Sequence, residues 1–274
     1  MAMNKREASD KAIKMLEKHL TDSLIPKLCH SIEDQTIAQT IFDKPGLRAL
    51  VPQEIELLEK HGNTAFDWKR VHVTDDFTPK NIWNTRFHRQ VIIGSLNGST
   101  IICGTEFSSG ISNAFLSDAI IGDGAFIHNV ALCSKVVIGK GAVIHNCGSV
   151  TNENTGSFCI GTEISAGNEA GDRMFPLLPE LNFEQAVLLA RAFTDKAAAD
   201  ALRGKIRAFA EKTIFKRSII GDNARLCNTT RACSFFLGSH ACIQGALEIS
   251  DSVILSNKEE PVHIGAGSII RNSV

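Results

Sequence analysis

The chain has 274 residues, of which 43% are hydrophobic and 22% are charged, and its formal net charge is −1. A chain of this size and composition predicts one substantial hydrophobic core with accessory elements. The near-neutral charge argues against a nucleic-acid partner, because proteins that bind nucleic acids present a basic surface. No apolar run reaches transmembrane length, and the polar N-terminus MAMNKREASDK lacks the apolar stretch of a signal peptide, so we expect a cytoplasmic protein without a membrane partner.

Residues 1–90 predict helices followed by a mixed segment. Ser9 and Asp10 are candidate caps of a first helix, since short polar side chains accept hydrogen bonds from its first free amides. The apolar positions of this helix are Ile13, Leu16, Leu20 and Leu24. A second, short helix is predicted between Pro52 and Gly62, because proline favours a helix start and glycine a helix end. We interpret residues 1–90 as an N-terminal helical and mixed region that caps the open end of the following repeat.

An internal repeat begins at residue 91 and predicts the main part of the fold. The segments IIGDGAFIHN from Ile120 and IIGDNARLCN from Ile219 open two series of aliphatic residues, each with steps of six, eleven, six and six residues. The two series are Ile121, Ile127, Ile138, Ile144 and Val150, and Ile220, Leu226, Leu237, Ile243 and Ile249. Such spacing is typical of hexapeptide repeats, in which three short parallel strands form a coil of about eighteen residues with the aliphatic residues inside. We therefore predict a mainly β fold, a single-stranded parallel β-helix, in residues 91–167 and 214–274.

Residues 168–213 interrupt the repeat and predict a loop followed by a helical insertion. Asn182 and Gln185 form a capping-box pattern at the start of a helix. Thr194 and Asp195 are predicted to divide the insertion into two helices. The apolar positions of this helical pair are Val187, Leu188, Phe193, Leu202, Ile206 and Phe209. We expect the insertion to pack across the coils or to reach a neighbouring subunit.

Two histidines are the candidate catalytic residues. His128 and His145 occur in the same tripeptide Ile-His-Asn, seventeen residues apart, so we expect them to stack on one outer face with Asn129 over Asn146. Imidazole suits general-base catalysis because its unperturbed pKa is near neutrality. Asn129 and Asn146 are predicted to bind substrate. The alternatives are a solvated ladder without a catalytic role, and a metal site, which needs a third histidine such as His88.

The segment GNEAGDR, at residues 167–173, is the second candidate site. We predict that Asn168, Glu169 and Arg173 bind substrate, because a guanidinium suits phosphate or carboxylate groups and functional residues concentrate on loops held by a rigid scaffold. The alternative is an ordinary turn with a surface ion pair. The eight cysteines form no CxxC pair, so we interpret them as small buried hydrophobic residues and predict no metal ligands among them.

Several stretches also resemble a known family. They are VPQEIELLEKHGNTAFDWKRVHV, NTRFHRQVIIG, GNEAGDR and the helical insertion before the resumed IIGD coil. They resemble an uncharacterised bacterial family of hexapeptide-repeat β-helix proteins, described as related to UDP-N-acetylglucosamine pyrophosphorylases and similar to the trimeric acyltransferases. The resemblance covers most of residues 50–274. The repeat spacing alone does not determine handedness, and the resemblance implies a left-handed β-helix. It also implies a homo-oligomer, with a trimer favoured.

The resemblance further implies an acyltransferase or acetyltransferase that acts on a small molecule, a sugar or nucleotide sugar. A CoA-type thioester is then the expected co-substrate, and no bound cofactor is expected. An outer-face histidine, His128 or His145, would deprotonate the acceptor in a cleft between subunits. Two alternatives stay open, namely a non-catalytic binding or assembly scaffold and a zinc enzyme similar to the γ-class carbonic anhydrases.

Overall fold

The computed structural model describes residues 5–23, 25–26, 46–165 and 174–274. These residues include the α-helices α1 (Lys5–Asp22), α2 (Pro52–Lys60), α3 (Phe183–Ala192) and α4 (Lys196–Lys212), and two short 3₁₀ helices, Trp68–Arg70 and Pro79–Asn81. The first strands are β1 (Arg48–Ala49), β2 (Thr64–Ala65), β3 (Val71–Val73), β4 (Ile82–Trp83), β5 (Arg86–Ile93), β6 (Ser99–Ile102), β7 (Thr105–Ser108), β8 (Gly110–Ile121), β9 (Phe126–Ser134), β10 (Val136–Ile138) and β11 (Val143–Thr151). The later strands are β12 (Glu163–Ser165), β13 (Met174–Pro176), β14 (Ser218–Ile220), β15 (Arg225–Cys227), β16 (Arg231–Leu237), β17 (Cys242–Gln244), β18 (Glu248–Ile254), β19 (His263–Ile264) and β20 (Ile269–Arg271).

Six parallel strands pair into a closed ring. In pairing order they are β8, β10, β14, β16, β11 and β9, and β9 pairs again with β8. The ring closes because its long strands pair with different neighbours along their length. The first part of β8 pairs with β9, for example, and its last residues pair with β10. Strands β1 to β5 extend the ring on one side, and β15 and β17 to β20 extend it on the other.

The predicted left-handed β-helix is wrong, because this closed parallel barrel is not a left-handed solenoid. The six-residue spacing determines which side chains of each strand face inward. It does not determine how the strands close, and the left-handed class came from the resemblance alone. The sequence pattern therefore identifies the buried positions without identifying the architecture that buries them.

The interior of the barrel contains aliphatic residues in register. Ile121, Ile138, Ile220 and Leu237 are direct partners along successive strand pairs, and each is 0% exposed. They belong to a single apolar cluster that continues through the strands on both sides of the ring. The prediction that these four side chains share one interior is confirmed.

Helices α1, α3 and α4 cover one outer face of the barrel. Leu16, Leu189 and Leu202 from these helices join an apolar cluster with the outward residues Ile120 and Val137 of β8 and β10. The helical insertion therefore packs across the strands, which is one of the two predicted arrangements. Burial of this second apolar layer fixes α3 and α4 against the barrel.

The helix ends follow the sequence pattern in α3 but not in α1. The Asn182 side chain accepts a hydrogen bond from the Gln185 amide at 2.9 Å, and the Gln185 side chain accepts one from the Asn182 amide at 3.1 Å, so the predicted capping box is confirmed. Helix α1 already includes Lys5, so the predicted caps Ser9 and Asp10 lie inside it and that prediction is wrong. The residues before Ser9 are compatible with a helix and extend it. None of the described helices combines the length and the apolar character needed to cross a bilayer.

Candidate functional site

The candidate site lies on a second outer face, formed by the first parts of β9 and β11 together with β15 and β17. Successive side chains of a strand point to opposite sides, so each inward residue has an outward neighbour. The outward residues His128, His145 and Cys227 are direct partners across successive strands. The structure thus brings the two predicted histidines together, one strand apart, on the same face.

The rings of His128 and His145 are stacked. Their centroids are 5.3 Å apart at an interplanar angle of 18°, and the Phe126 ring lies 6.0 Å from His128 and 6.3 Å from His145. Both Nδ1 atoms are buried and have no hydrogen-bond partner among the described residues. Burial lowers the pKa of His145 below its ordinary value, and the neighbouring His128 lowers it further. At neutral pH, His145 is therefore an uncharged imidazole that can accept a proton.

An antiparallel hairpin, formed by β6 and β7, covers the edge of this face. Ile102 of the hairpin packs against Phe126, and the Phe107 ring lies 5.8 Å from the Phe126 ring. The Arg225 guanidinium attaches the hairpin to β15 by donating a hydrogen bond to the Ile101 carbonyl oxygen at 2.5 Å. The hairpin and the phenylalanines give the histidines an apolar wall on one side.

This hairpin and the phenylalanines around the histidines were not predicted from the sequence. Residues 91–167 were interpreted as repeat, although the positions six and twelve after Ile93 are Ser99 and Thr105 rather than aliphatic residues. The series resumes only at Ile111. That gap of two aliphatic positions was the available signal that the chain leaves the barrel there.

Asn129 and Asn146 lie next to the histidines, at bends within β9 and β11. The Asn129 Nδ2 donates to the Asn146 Oδ1 at 2.8 Å, and the Asn146 Nδ2 donates to the Asn228 Oδ1 at 2.8 Å. All three residues have positive φ angles, of 56°, 53° and 53°. Asparagine is among the few residues that adopt this left-handed conformation readily. The geometry gives these amides a role at the strand bends, and substrate binding by Asn129 and Asn146 stays a prediction.

Of the remaining predicted residues, the structure describes only His88, which does not lie on this face. Asn168, Glu169 and Arg173 lie outside the described residues. His88 is on another side of the barrel, where its Nδ1 is 3.2 Å from the Ser117 Oγ. Within the described ranges, no group of three or more His, Cys, Asp or Glu side chains is arranged to hold a metal ion.

The buried cysteines near the site are thiols rather than thiolates. Burial raises the pKa of Cys133 to about 12 and those of Cys147 and Cys227 to about 11. The interpretation of the cysteines as small buried hydrophobic residues is confirmed for these three, whereas Cys103, in the turn of the hairpin, is exposed. Although Cys227 is the strand partner of His145, its thiol is not ionised to the nucleophilic thiolate at neutral pH.

Comparison with known proteins identifies a family without assigning an activity. No curated protein matches the chain. One family model matches residues 47–274, a range that includes all the described strands and the stacked histidines. The chain therefore belongs to the family described as a domain of unknown function, DUF4954.

Proposed function

We propose that the chain is an acyltransferase in which His145 acts as the general base. The proposal rests on one observation, the stacked histidine pair in a half-buried site where burial lowers the pKa of His145. A general base must be unprotonated at the pH of the reaction, and a lowered pKa satisfies this condition at neutral pH. The fold class offers no support, because a closed barrel is not the predicted solenoid, so the proposal depends on the chemistry of the site.

The proposed reaction transfers an acyl group from a CoA-type thioester to a hydroxyl or amine of a sugar or nucleotide sugar. His145 takes the proton of the acceptor O–H or N–H as the acceptor atom forms a bond to the thioester carbonyl carbon. The tetrahedral intermediate then collapses, the C–S bond breaks, and the departing sulfur takes the proton from the His145 imidazolium. The reaction therefore needs no bound cofactor.

The neighbouring groups support this role of His145. The apolar wall formed by Phe107 and Phe126 excludes water from one side of the imidazole pair, which limits hydrolysis of a thioester. His128 is stacked on His145, so a positive charge on one imidazole disfavours a positive charge on the other. We therefore assign His128 to keeping His145 uncharged before the acceptor binds.

We further propose that the protein works as a homo-oligomer, with a trimer favoured. The hairpin beside the site exposes two large apolar side chains, with Ile101 63% exposed and Phe107 42% exposed. Ile101 faces away from the barrel, because its neighbour Ile102 packs against Phe126, and an outward apolar side chain beside a site is available for contact with a partner. Light scattering coupled to size exclusion tests this assembly, and a monomer at micromolar concentration would contradict it.

The test of the activity is product formation from acetyl-CoA. The purified protein is incubated with acetyl-CoA and, in parallel reactions, with amino sugars and UDP-sugars, and acetylated products are detected by mass spectrometry. We expect His145→Gln to lower the rate by about 10²–10⁴-fold, the usual contribution of a general base. His263→Gln is the matched control, because His263 is an exposed histidine on β19 at the far end of the same row of strands.

Two results would contradict the proposal. One is an unchanged rate in His145→Gln. The other is the absence both of acetylated product and of any thermal shift with CoA thioesters and UDP-sugars, which would favour the non-catalytic scaffold. Metal analysis of the purified protein tests the zinc-enzyme alternative directly.

A further inference from the structure

The outer face that carries the histidines also carries a column of rings with one interruption. Along this column Trp83 is the strand partner of Ser112, Ser112 is the partner of His128, and His128 is the partner of His145. His61, at the end of α2, stacks on Trp83 with ring centroids 3.7 Å apart and an interplanar angle of 10°. Two stacked ring pairs thus lie on either side of a single serine.

The spacing of parallel strands gives the position above Ser112 room for one flat ring. Neighbouring parallel strands lie about 4.8 Å apart, so Trp83 and His128, two strands from each other, are separated by about 10 Å along the column. A planar ring in van der Waals contact on both sides occupies about 7–8 Å. We name this space, between Trp83 and His128 and over Ser112, the ring slot.

The residues around the ring slot keep it open. Trp83 is 47% exposed although His61 covers one of its faces, so a large part of the indole is free of protein contacts. Gly110 lies beside Ser112 on the same strand and contributes no side chain. A Cβ at Gly110 would collide with the carbonyl oxygen of Asn81, so the backbone packing itself keeps this position small.

We propose that the ring slot binds a planar heterocycle, the base of a free nucleoside or nucleotide, sandwiched between the Trp83 indole and the His128 imidazole. Aromatic side chains bind nucleobases by stacking on their faces, and the Ser112 hydroxyl can both donate and accept a hydrogen bond at the edge of the base. A free nucleotide fits better than a nucleic acid, because the net charge of −1 does not favour a polyanion. This inference goes beyond the proposed acyl transfer and does not depend on it.

Tryptophan fluorescence tests the proposal, because a stacked base quenches indole emission. The chain has two tryptophans, so Trp68→Phe leaves Trp83 as the single reporter. This variant is titrated into the millimolar range with adenosine 5′-monophosphate and with uridine 5′-monophosphate. Ribose 5-phosphate, which has the sugar and phosphate but no base, is the control. We expect saturable quenching by at least one nucleotide and none by ribose 5-phosphate.

Substitution of Ser112 locates the binding. Added to Trp68→Phe, Ser112→Leu fills the slot and is expected to weaken the nucleotide by at least about tenfold. Ser112→Ala keeps the slot open and is expected to change the Kd by less than about threefold. If Ser112→Leu does not fold, as judged by circular dichroism, loss of the calorimetric binding heat in Trp83→Leu replaces it.

Absence of saturable quenching by both nucleotides, or equal affinity in Ser112→Leu and Ser112→Ala, overturns the proposal. Quenching by ribose 5-phosphate at the same affinity also overturns it, because binding would then not involve a base. The result is separable from the proposed acyl transfer, since His145→Gln in the Trp68→Phe background is expected to retain the quenching.

Discussion

Replacement of Ile138 by alanine tests whether the barrel interior is one close-packed core. Ile138 is 0% exposed and lies between its direct partners Ile121 and Ile220. The change removes three carbon atoms from a fully buried side chain, a loss of about 2.4 kcal/mol at ~0.8 kcal/mol for each. Strand pairing on both sides limits collapse around the deleted atoms, so a residual cavity adds to the loss. We expect the free energy of unfolding to fall by about 3–4 kcal/mol.

Urea unfolding followed by circular dichroism measures this change, with the slope of free energy against urea used to check that the unfolded state is the same. Ile269→Ala is the matched control, because it deletes the same atoms from a side chain that is 55% exposed, and we expect it to cost under about 1.2 kcal/mol. Ile138→Val should lie between wild type and alanine, at about 0.5–1.5 kcal/mol. Equal losses in the two alanine variants would refute the shared interior.

Three further predictions concern backbone contacts, pH and thiol reactivity. Gly139→Ala is expected to lower the free energy of unfolding by at least about 2 kcal/mol, because its Cβ would lie 2.6 Å from the backbone nitrogen of Asp222, just after β14. Gly204→Ala, in α4 with open space around it, is expected to stabilise by about 0.5–1 kcal/mol in the same urea assay. Because burial lowers the pKa of His145, the unfolded chain binds more protons than the folded protein below about pH 6.5, so stability falls as the pH drops from about 7 to 5. His145→Gln should show a smaller fall in melting temperature over that range, and an equal fall would contradict the assignment. An alkylating reagent at about pH 8 is expected to label Cys103 in the folded protein and Cys133 only after denaturation, as read by mass spectrometry, and rapid labelling of Cys133 would contradict its raised pKa.

The sequence predicted the buried positions because burial follows directly from spacing. Ile121 and Ile138 recur in the same pattern as Ile220 and Leu237, and such a pattern places all four inside any arrangement of parallel strands. The closure of the strands could not be predicted in the same way. It depends on β8 pairing with two different neighbours along its twelve residues, a property of backbone bending that six-residue spacing does not record.

The site was partly predictable for a similar reason. The seventeen-residue repeat of Ile-His-Asn brought His128 and His145 into register, and the structure places them as direct partners. The contribution of Phe107 was not predictable, because the hairpin has no repeat spacing and reaches the site only through its packing on Phe126. The ring slot was not predictable either, because Trp83 belongs to a segment interpreted as a cap and shares a column with His128 only through the strand register at Ser112.

At both the helical insertion and the hairpin, the chain returns to the barrel beside the point where it leaves. The Ser218 hydroxyl donates to the Thr151 carbonyl oxygen at 2.7 Å across the base of the helical insertion, and the Ser109 amide donates to the Gly98 carbonyl oxygen at 2.9 Å across the base of the hairpin. Junctions whose two ends already touch can accommodate a guest domain of almost any length without disturbing strand register. A single residue added inside a strand would instead turn every following side chain to the opposite face.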